Sequence, residues 1–172
     1  MKAVGSTARL GGVFTFRCFD PDGKLKWEDT AKNLVVNAGL QHILDILFVS
    51  ATAQVDPWSV FLTDGTPTVA AGDTSASHVG WVEVIAYSET VRQTYVDVRT
   101  GQTVSNTASK ATFSINAAST TIGGAGLAST STKGSTTDDI LCAAAFTGGD
   151  KIADSGDTLE VTYEFSAADD GA

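Results

Sequence analysis

Thr158-Leu159-Glu160-Val161-Thr162-Tyr163-Glu164-Phe165 alternates polar and apolar side chains along its whole length. Successive side chains of a β-strand point to opposite faces, so this segment has one dry face and one wet one, the pattern of an antiparallel strand at the outside of a domain. The same reading extends backwards through the chain. Val13, Phe14, Phe16, Cys18 and Phe19 form an apolar, aromatic run, Asp20-Pro21-Asp22-Gly23 supplies turn chemistry, and Leu25 and Trp27 resume the alternation. Proline presets the first turn dihedral and glycine tolerates positive φ, so a β-hairpin is expected. Trp58, Val60 and Leu62 open a further strand that stops at Asp64-Gly65-Thr66-Pro67. Strands are expected at residues 80–87, with Trp81, Val82, Val84, Ile85 and Tyr87 buried, and at 94–98, 110–116, 120–129, 140–146 and 157–165. Between them, residues 66–79 hold small and polar side chains with no sustained period and read as a long surface loop. Gly123-Gly124-Ala125-Gly126 follows a β-branched run and precedes no helix pattern, so a bulged strand or a close backbone approach is expected there, not a phosphate-cradling loop.

One helix interrupts this pattern. Asn37 is read as its N-cap, and Leu40, Ile43, Leu44 and Leu47 fall at i, i+3, i+4 and i+7, which predicts a helix over residues 39–48 with that stripe against the core. The fold expected is mostly β, an antiparallel β-sandwich or jelly roll with one short α-helix. Residues 1–11 are small and polar with no repeating apolar face, so they read as a flexible N-terminal arm, and residues 12–172 as a single domain. A chain of 172 residues buries about 70% of its unfolded surface, enough for a self-sufficient core.

Composition narrows the chemistry. The chain has 11 Lys and Arg against 20 Asp and Glu, a formal net charge of −9, and its basic residues are scattered. Nucleic acid, which needs a concentrated basic surface, is not expected as a partner. Apolar stretches such as residues 43–49 fall short of the roughly 20 residues a membrane helix requires, and no signal peptide is expected. Cys18 and Cys142 stand inside apolar runs without metal or redox spacing and read as buried small hydrophobes; a disulfide between them requires their strands to be neighbours. Only His42 and His78 are available for acid–base work near neutrality. The run Asp73-Thr74-Ser75-Ala76-Ser77-His78 contains the three residue types of a hydrolase triad, but a triad is defined by geometry and the segment lacks a nucleophile elbow, so no catalytic residue is expected. Asp20, Asp22 and Glu28 lack calcium-loop spacing, and no metal or other cofactor is expected. Abundant Ala, Gly, Ser and Thr with little charge make a surface on which two protein faces approach closely at low desolvation cost.

Several phrases resemble a family of small virion structural proteins encoded by tailed bacteriophages. They include Trp27-Glu28-Asp29, Asn33-Leu34-Val35-Val36-Asn37-Ala38-Gly39-Leu40, Asp73-Thr74-Ser75-Ala76-Ser77-His78-Val79-Gly80-Trp81-Val82-Glu83, Val104-Ser105-Asn106, Ile122-Gly123-Gly124, Ser131-Thr132-Lys133-Gly134 and Ser155-Gly156-Asp157-Thr158-Leu159-Glu160. The resemblance spans nearly the whole chain beyond the arm and carries no catalytic residues. It implies a component of the particle, made in the host cytoplasm and located on the virion. A small β-module with an arm has the form of a capsid decoration, or cement, protein bound to the outside of the shell, with the major capsid protein as partner and a homo-oligomer, dimer or trimer, as its own state. The alternatives are a tail, fibre or head–tail adaptor component and a carbohydrate-binding module, for which Trp58 and Trp81 are the aromatic candidates, although both read first as core side chains. The candidate partner-binding residues are Lys2 and Arg9 on the arm and Asp73 and His78 in the long loop.

Overall fold

The computed structural model describes residues 7–49 and 52–169. In chain order its elements are β1 (Ala8–Phe19), β2 (Leu25–Val35), α1 (Asn37–Phe48), β3 (Ser59–Thr63), β4 (Glu83–Val84), β5 (Gln93–Thr94), β6 (Val98–Thr100), β7 (Thr103–Ser105), β8 (Ala111–Ser114), β9 (Thr120–Ile122), β10 (Gly124–Ala128), β11 (Ile140–Ala145), β12 (Lys151–Ala153) and β13 (Thr158–Asp169). The described chain is a mostly-β, antiparallel sandwich with one helix.

The sandwich is one long sheet folded over on itself. The main path runs β4-β3-β10-β11-β2-β1-β13-β7-β6, with β5 on β3 and β8 on β13. β2 makes the fold: Leu25 to Lys32 pair with β1, while Asn33 to Val35 pair with β11, so one strand serves both layers. The opposite side is laced by a bridge between Tyr87 and Ile115 and by Ser88 N–H donating to the Ser114 carbonyl. Phe14, Phe16, Leu159, Val161 and Tyr163 of the first layer face Val60, Leu62, Ala125, Leu127 and Ala144 of the second. Aromatic pairs fix the packing: Phe14 stacks on Tyr163 at 4.1 Å, and Phe16 meets Phe146 edge-on at 4.6 Å.

The β1–β2 hairpin forms where expected, and Asp20 Oδ1 accepts from the backbone N–H groups of Asp22 and Lys24, so the acidic pair there belongs to the turn. β13 keeps the wet and dry alternation. The second layer is different, for β3 and β10 are buried on both faces. Its outer face is covered by residues 64–82, whose Trp81 and Val69 pack with Phe61, Ile140 and Ala143. The surface loop expected at 66–79 forms and lies across that face as part of the cover. The glycines of β10 serve close approach, as expected: a Cβ on Gly126 would overlap both the Phe61 ring, its register partner, and the Cys142 carbonyl.

Several expectations need correction. Strand β1 opens at Ala8, and Ala8 to Gly11 pair with Ser166 to Asp169, so the last four residues assigned to the arm are sheet. Arg9 stands on that strand, exposed, while Lys2 and the rest of residues 1–6 lie outside the described residues. Within 80–87 only Glu83–Val84 is strand, with Val82 and Ile85 exposed; within 94–98 the chain bends after Thr94, burying Tyr95 and exposing Val96. Cys18 pairs with Trp27 and Cys142 with Val35, eight positions apart on β2, which is about 26 Å at roughly 3.3 Å per residue and far beyond disulfide reach. Both cysteines are buried and free.

Beneath the cover, Arg92 ties three segments together. Its Nε and Nη2 donate to the two oxygens of Glu83 at 2.8 and 2.7 Å, and its Nη1 donates to Asp138 and to the Thr130 carbonyl. Thr130 Oγ1 donates to the other Asp138 oxygen at 2.6 Å, and Gly134 N–H to Glu83 at 2.9 Å. Burial works against charge on Asp138, but hydrogen bonds from Ser135, Thr130 and Arg92 hold its carboxyl below the usual carboxylate range.

Candidate interaction site

Asp73 and His78, singled out from sequence, meet at Trp81. The Trp81 indole N–H donates to Asp73 Oδ2 at 2.9 Å, and the Ala70 N–H donates to the same oxygen at 3.0 Å. His78 stacks on the Trp81 ring at 3.8 Å and its Nδ1 donates to the Trp81 carbonyl at 2.9 Å, while Trp81 stacks in turn on Phe61 at 5.2 Å. Ser75 Oγ donates to the Ser135 carbonyl. These side chains do not line up as nucleophile, base and orienting acid; each is bonded to a different group, and together they clamp the cover onto β3. The Asp73 carboxylate is thereby turned inward and is not presented to a partner. Trp81 is buried by the same arrangement, so it offers no flat platform to a sugar.

The surface that stands open is on α1. The inward face of the helix is Gly39, His42 and Ile43, with Ile46 at its border. Gly39 sets this orientation: a Cβ there would overlap the Leu141 backbone, so the helix start lies directly on β11, where only a residue without a side chain fits. The helix is thus rotated by about one residue, roughly 100°, from the orientation its large apolar side chains predict. Its N-cap is Val36 without a side-chain cap, and Asn37, expected as the cap, is the first helical residue, its N–H donating to the Ala71 carbonyl. Of the expected core stripe only Ile43 packs inward; Leu44 is 54% and Leu47 66% exposed, with Leu40 open beside them, and Phe48, 80% exposed, and Val49 extend the same open surface.

Sequence reasoning found Leu40, Leu44 and Leu47 and assigned them to the wrong side, while Ile43 of the same stripe does meet the core. Gly39 was the available signal, since a glycine in the first turn of an otherwise good helix marks close packing at that point. A contiguous, exposed set of large apolar side chains on a stable module is the mark of a protein-contact surface. Compared with known protein families, with characterised proteins and with solved structures, the chain has no match.

Proposed function

We propose that this chain is a structural protein of a bacteriophage particle, a decoration or cement protein that binds the outside of the major capsid shell through the outward face of α1. The observation that carries the reading is the orientation of that helix, which leaves Leu40, Leu44, Leu47 and Phe48 uncovered together on one element. Full burial of one such side chain is worth roughly 1.5–3 kcal/mol, and covering what these four still expose, from 39% of Leu40 to 80% of Phe48, gives a fraction of that for each before the costs of association. The family-like phrases of the sequence supply the kind of partner, since they resemble tailed-phage virion proteins. The first layer has the opposite character: Thr15, Arg17, Glu160 and Glu164 sit on its outer face, which suits it to face solvent. Many copies on a lattice multiply a modest contact through avidity when the module is itself a dimer or trimer.

The test is a sedimentation assay with purified capsid shells lacking the protein. The wild-type chain should pellet with the shells to a fixed stoichiometry. Leu47→Asp with Phe48→Asp should lower the pelleted fraction at least tenfold while leaving the melting temperature within about 2 °C, because neither side chain contributes to the core. Equal pelleting of the two proteins would refute the assignment.

A further inference from the structure

The long sheet ends in β4 on one side and β6 on the other, and the two margins are finished differently. At β4, Lys133 Nζ donates to the Ile85 carbonyl at 3.4 Å and the Gly134 N–H to the Glu83 carboxylate at 2.9 Å, so residues 133–134 lie along that margin. At the other end β6 pairs with β7 alone, and every residue from 96 to 100 is exposed. The Gly101-Gln102 turn, with Gly101 at φ 62°, closes directly on the Thr100–Thr103 pair. In a hairpin with a two-residue loop the flanking residues bond each other, and the direction of the N–H and C=O groups then alternates along the strand. Thr100 and Val98 therefore turn theirs to β7, while Arg99 and, continuing the alternation, Asp97 turn theirs outward. Among the described residues no main-chain hydrogen bond is made by Val96 or Asp97. Such a row of unpaired groups is a template for a further strand.

The side chains sort by the same alternation. Arg99 stands opposite Val104, and Asp97 and Val104 line one cleft beside α1, so Asp97 and Arg99 share the inner face of the edge. Val98 and Thr100 stand opposite Ser105 and Thr103 on the outer face. Arg99 donates to the Gly101 carbonyl, and neither it nor Asp97 makes an ion pair among the described residues.

An edge reading Asp97-Val98-Arg99 is its own complement when a second copy is turned end over end. With a two-fold axis at Val98, antiparallel pairing sets Asp97 against Arg99 of the second copy, twice over. These are the residues whose main chain points outward, so each pair exchanges two backbone hydrogen bonds, while Val98 meets itself at the non-hydrogen-bonded position. Moving the axis to Arg99 sets the two guanidinium groups against each other, and like charges directly opposite are destabilising. We infer that β6 is a self-association edge, on which two copies of this chain join antiparallel over residues 96–100 and continue the sheet through a two-fold axis. The contact is short, about five residues a side against the roughly 20–30 of a standard interface. The dimer is therefore weak in solution and gains strength where copies are held side by side on a shell. Only that gain rests on the proposed docking of α1; the pairing of β6 does not.

Disulfide capture tests a contact of this strength. At the non-hydrogen-bonded position of an antiparallel pair the Cα atoms lie about 4.5 Å apart, within disulfide range, and the native Cys18 and Cys142 are buried. Under mild oxidation Val98→Cys should form a covalent dimer about tenfold faster than Thr100→Cys, which faces Val96 of the second copy and not itself. In the Val98→Cys background, Asp97→Arg and Arg99→Asp should each slow cross-linking about tenfold. An equimolar mixture of the two should restore it, because an all-basic edge then meets an all-acidic one. All of these positions are exposed, so melting temperatures should agree within about 2 °C and a lost cross-link reports the contact, not the fold. Equal rates for Val98→Cys and Thr100→Cys, or charge variants that cross-link as well alone as mixed, would overturn the pairing. Pelleting with shells in the absence of this cross-link would overturn the dimer and leave the docking of α1 in place. Cross-linking by a chain that does not pellet would support the dimer and count against that docking instead.

Discussion

Replacing Arg92 by methionine keeps the length of the stem and removes the guanidinium from between two carboxylates whose side chains are only 8% (Glu83) and 1% (Asp138) exposed. Arg92 makes four hydrogen bonds there, to Glu83 twice, to Asp138 and to the Thr130 carbonyl. Without it, both acids keep their burial and lose their cation. Breaking a buried ion pair from one side costs about 3–5 kcal/mol, mostly because the stranded charge stays out of water. For a chain of this size that corresponds to a fall in melting temperature of about 6–20 °C. The pH dependence has a definite sign. In the wild-type protein the Asp138 carboxyl is held below its ordinary value, so its stabilising contribution is present above an unfolded pKa of roughly 4 and is lost as pH falls through the lower folded value. In Arg92→Met the hydrogen bonds from Ser135 and Thr130 remain, but the cation that helped offset burial of the carboxylate is gone, so the variant suffers most at neutral pH, where the carboxylate is charged. Chemical denaturation of both proteins at pH 7 and pH 4 should show the stability gap widest at pH 7 and narrowing towards pH 4. A gap under about 1 kcal/mol at pH 7, small against the penalty of a stranded buried charge, would refute the view that this cluster holds the chain together.

Gly126→Ala should destabilise the fold by about 1–3 kcal/mol in urea titration, since its methyl group meets the Phe61 ring and the Cys142 carbonyl and the ring is already held by Trp81; a neutral or stabilised variant would contradict that packing. Asp73→Ala strands the buried Trp81 indole N–H at a cost of about 1–3 kcal/mol, and amide exchange across residues 64–82 should quicken while that of β1 and β13 stays as it was. Burial and then the Asp157 carboxylate push the Cys18 thiol up to about 12, and burial pushes Cys142 up to about 11. At pH 8 the native protein should therefore react with iodoacetamide no faster than it unfolds, and rapid labelling of either cysteine would show that the core opens.

The strands were legible where a single property decided them. The alternation of Thr158 to Phe165 has one solution, a half-wet strand, and Asp20-Pro21-Asp22-Gly23 has one, a tight turn. The burial of β3 and β10 on both faces was not legible, because a short apolar run looks the same under a helix, a second sheet or a cover. Residues 66–79 do form the surface loop expected, and what was not legible is that a few of its side chains reach back onto the second layer. Trp81, Asp73 and His78 join in one stack that only the fold brings together. The helix was found and its sense was lost. Periodicity reports that Leu40, Leu44 and Leu47 share a face, yet it cannot say whether that face meets this chain or another one. Gly39 against Leu141 decided it, a contact between residues 102 positions apart. His42, one of the two histidines noted in the sequence, is turned into the interior by the same rotation of the helix.

The most direct measurement is a cryo-electron microscopy map of the intact particle at a resolution that places side chains of this chain. The sandwich should sit on the outer surface of the capsid shell with Leu44, Leu47 and Phe48 of α1 against the major capsid protein and the polar face of β1 and β13 towards solvent. A map with the chain absent from the shell, or bound to it through the face of β1 and β13 with α1 exposed, would contradict the proposed function.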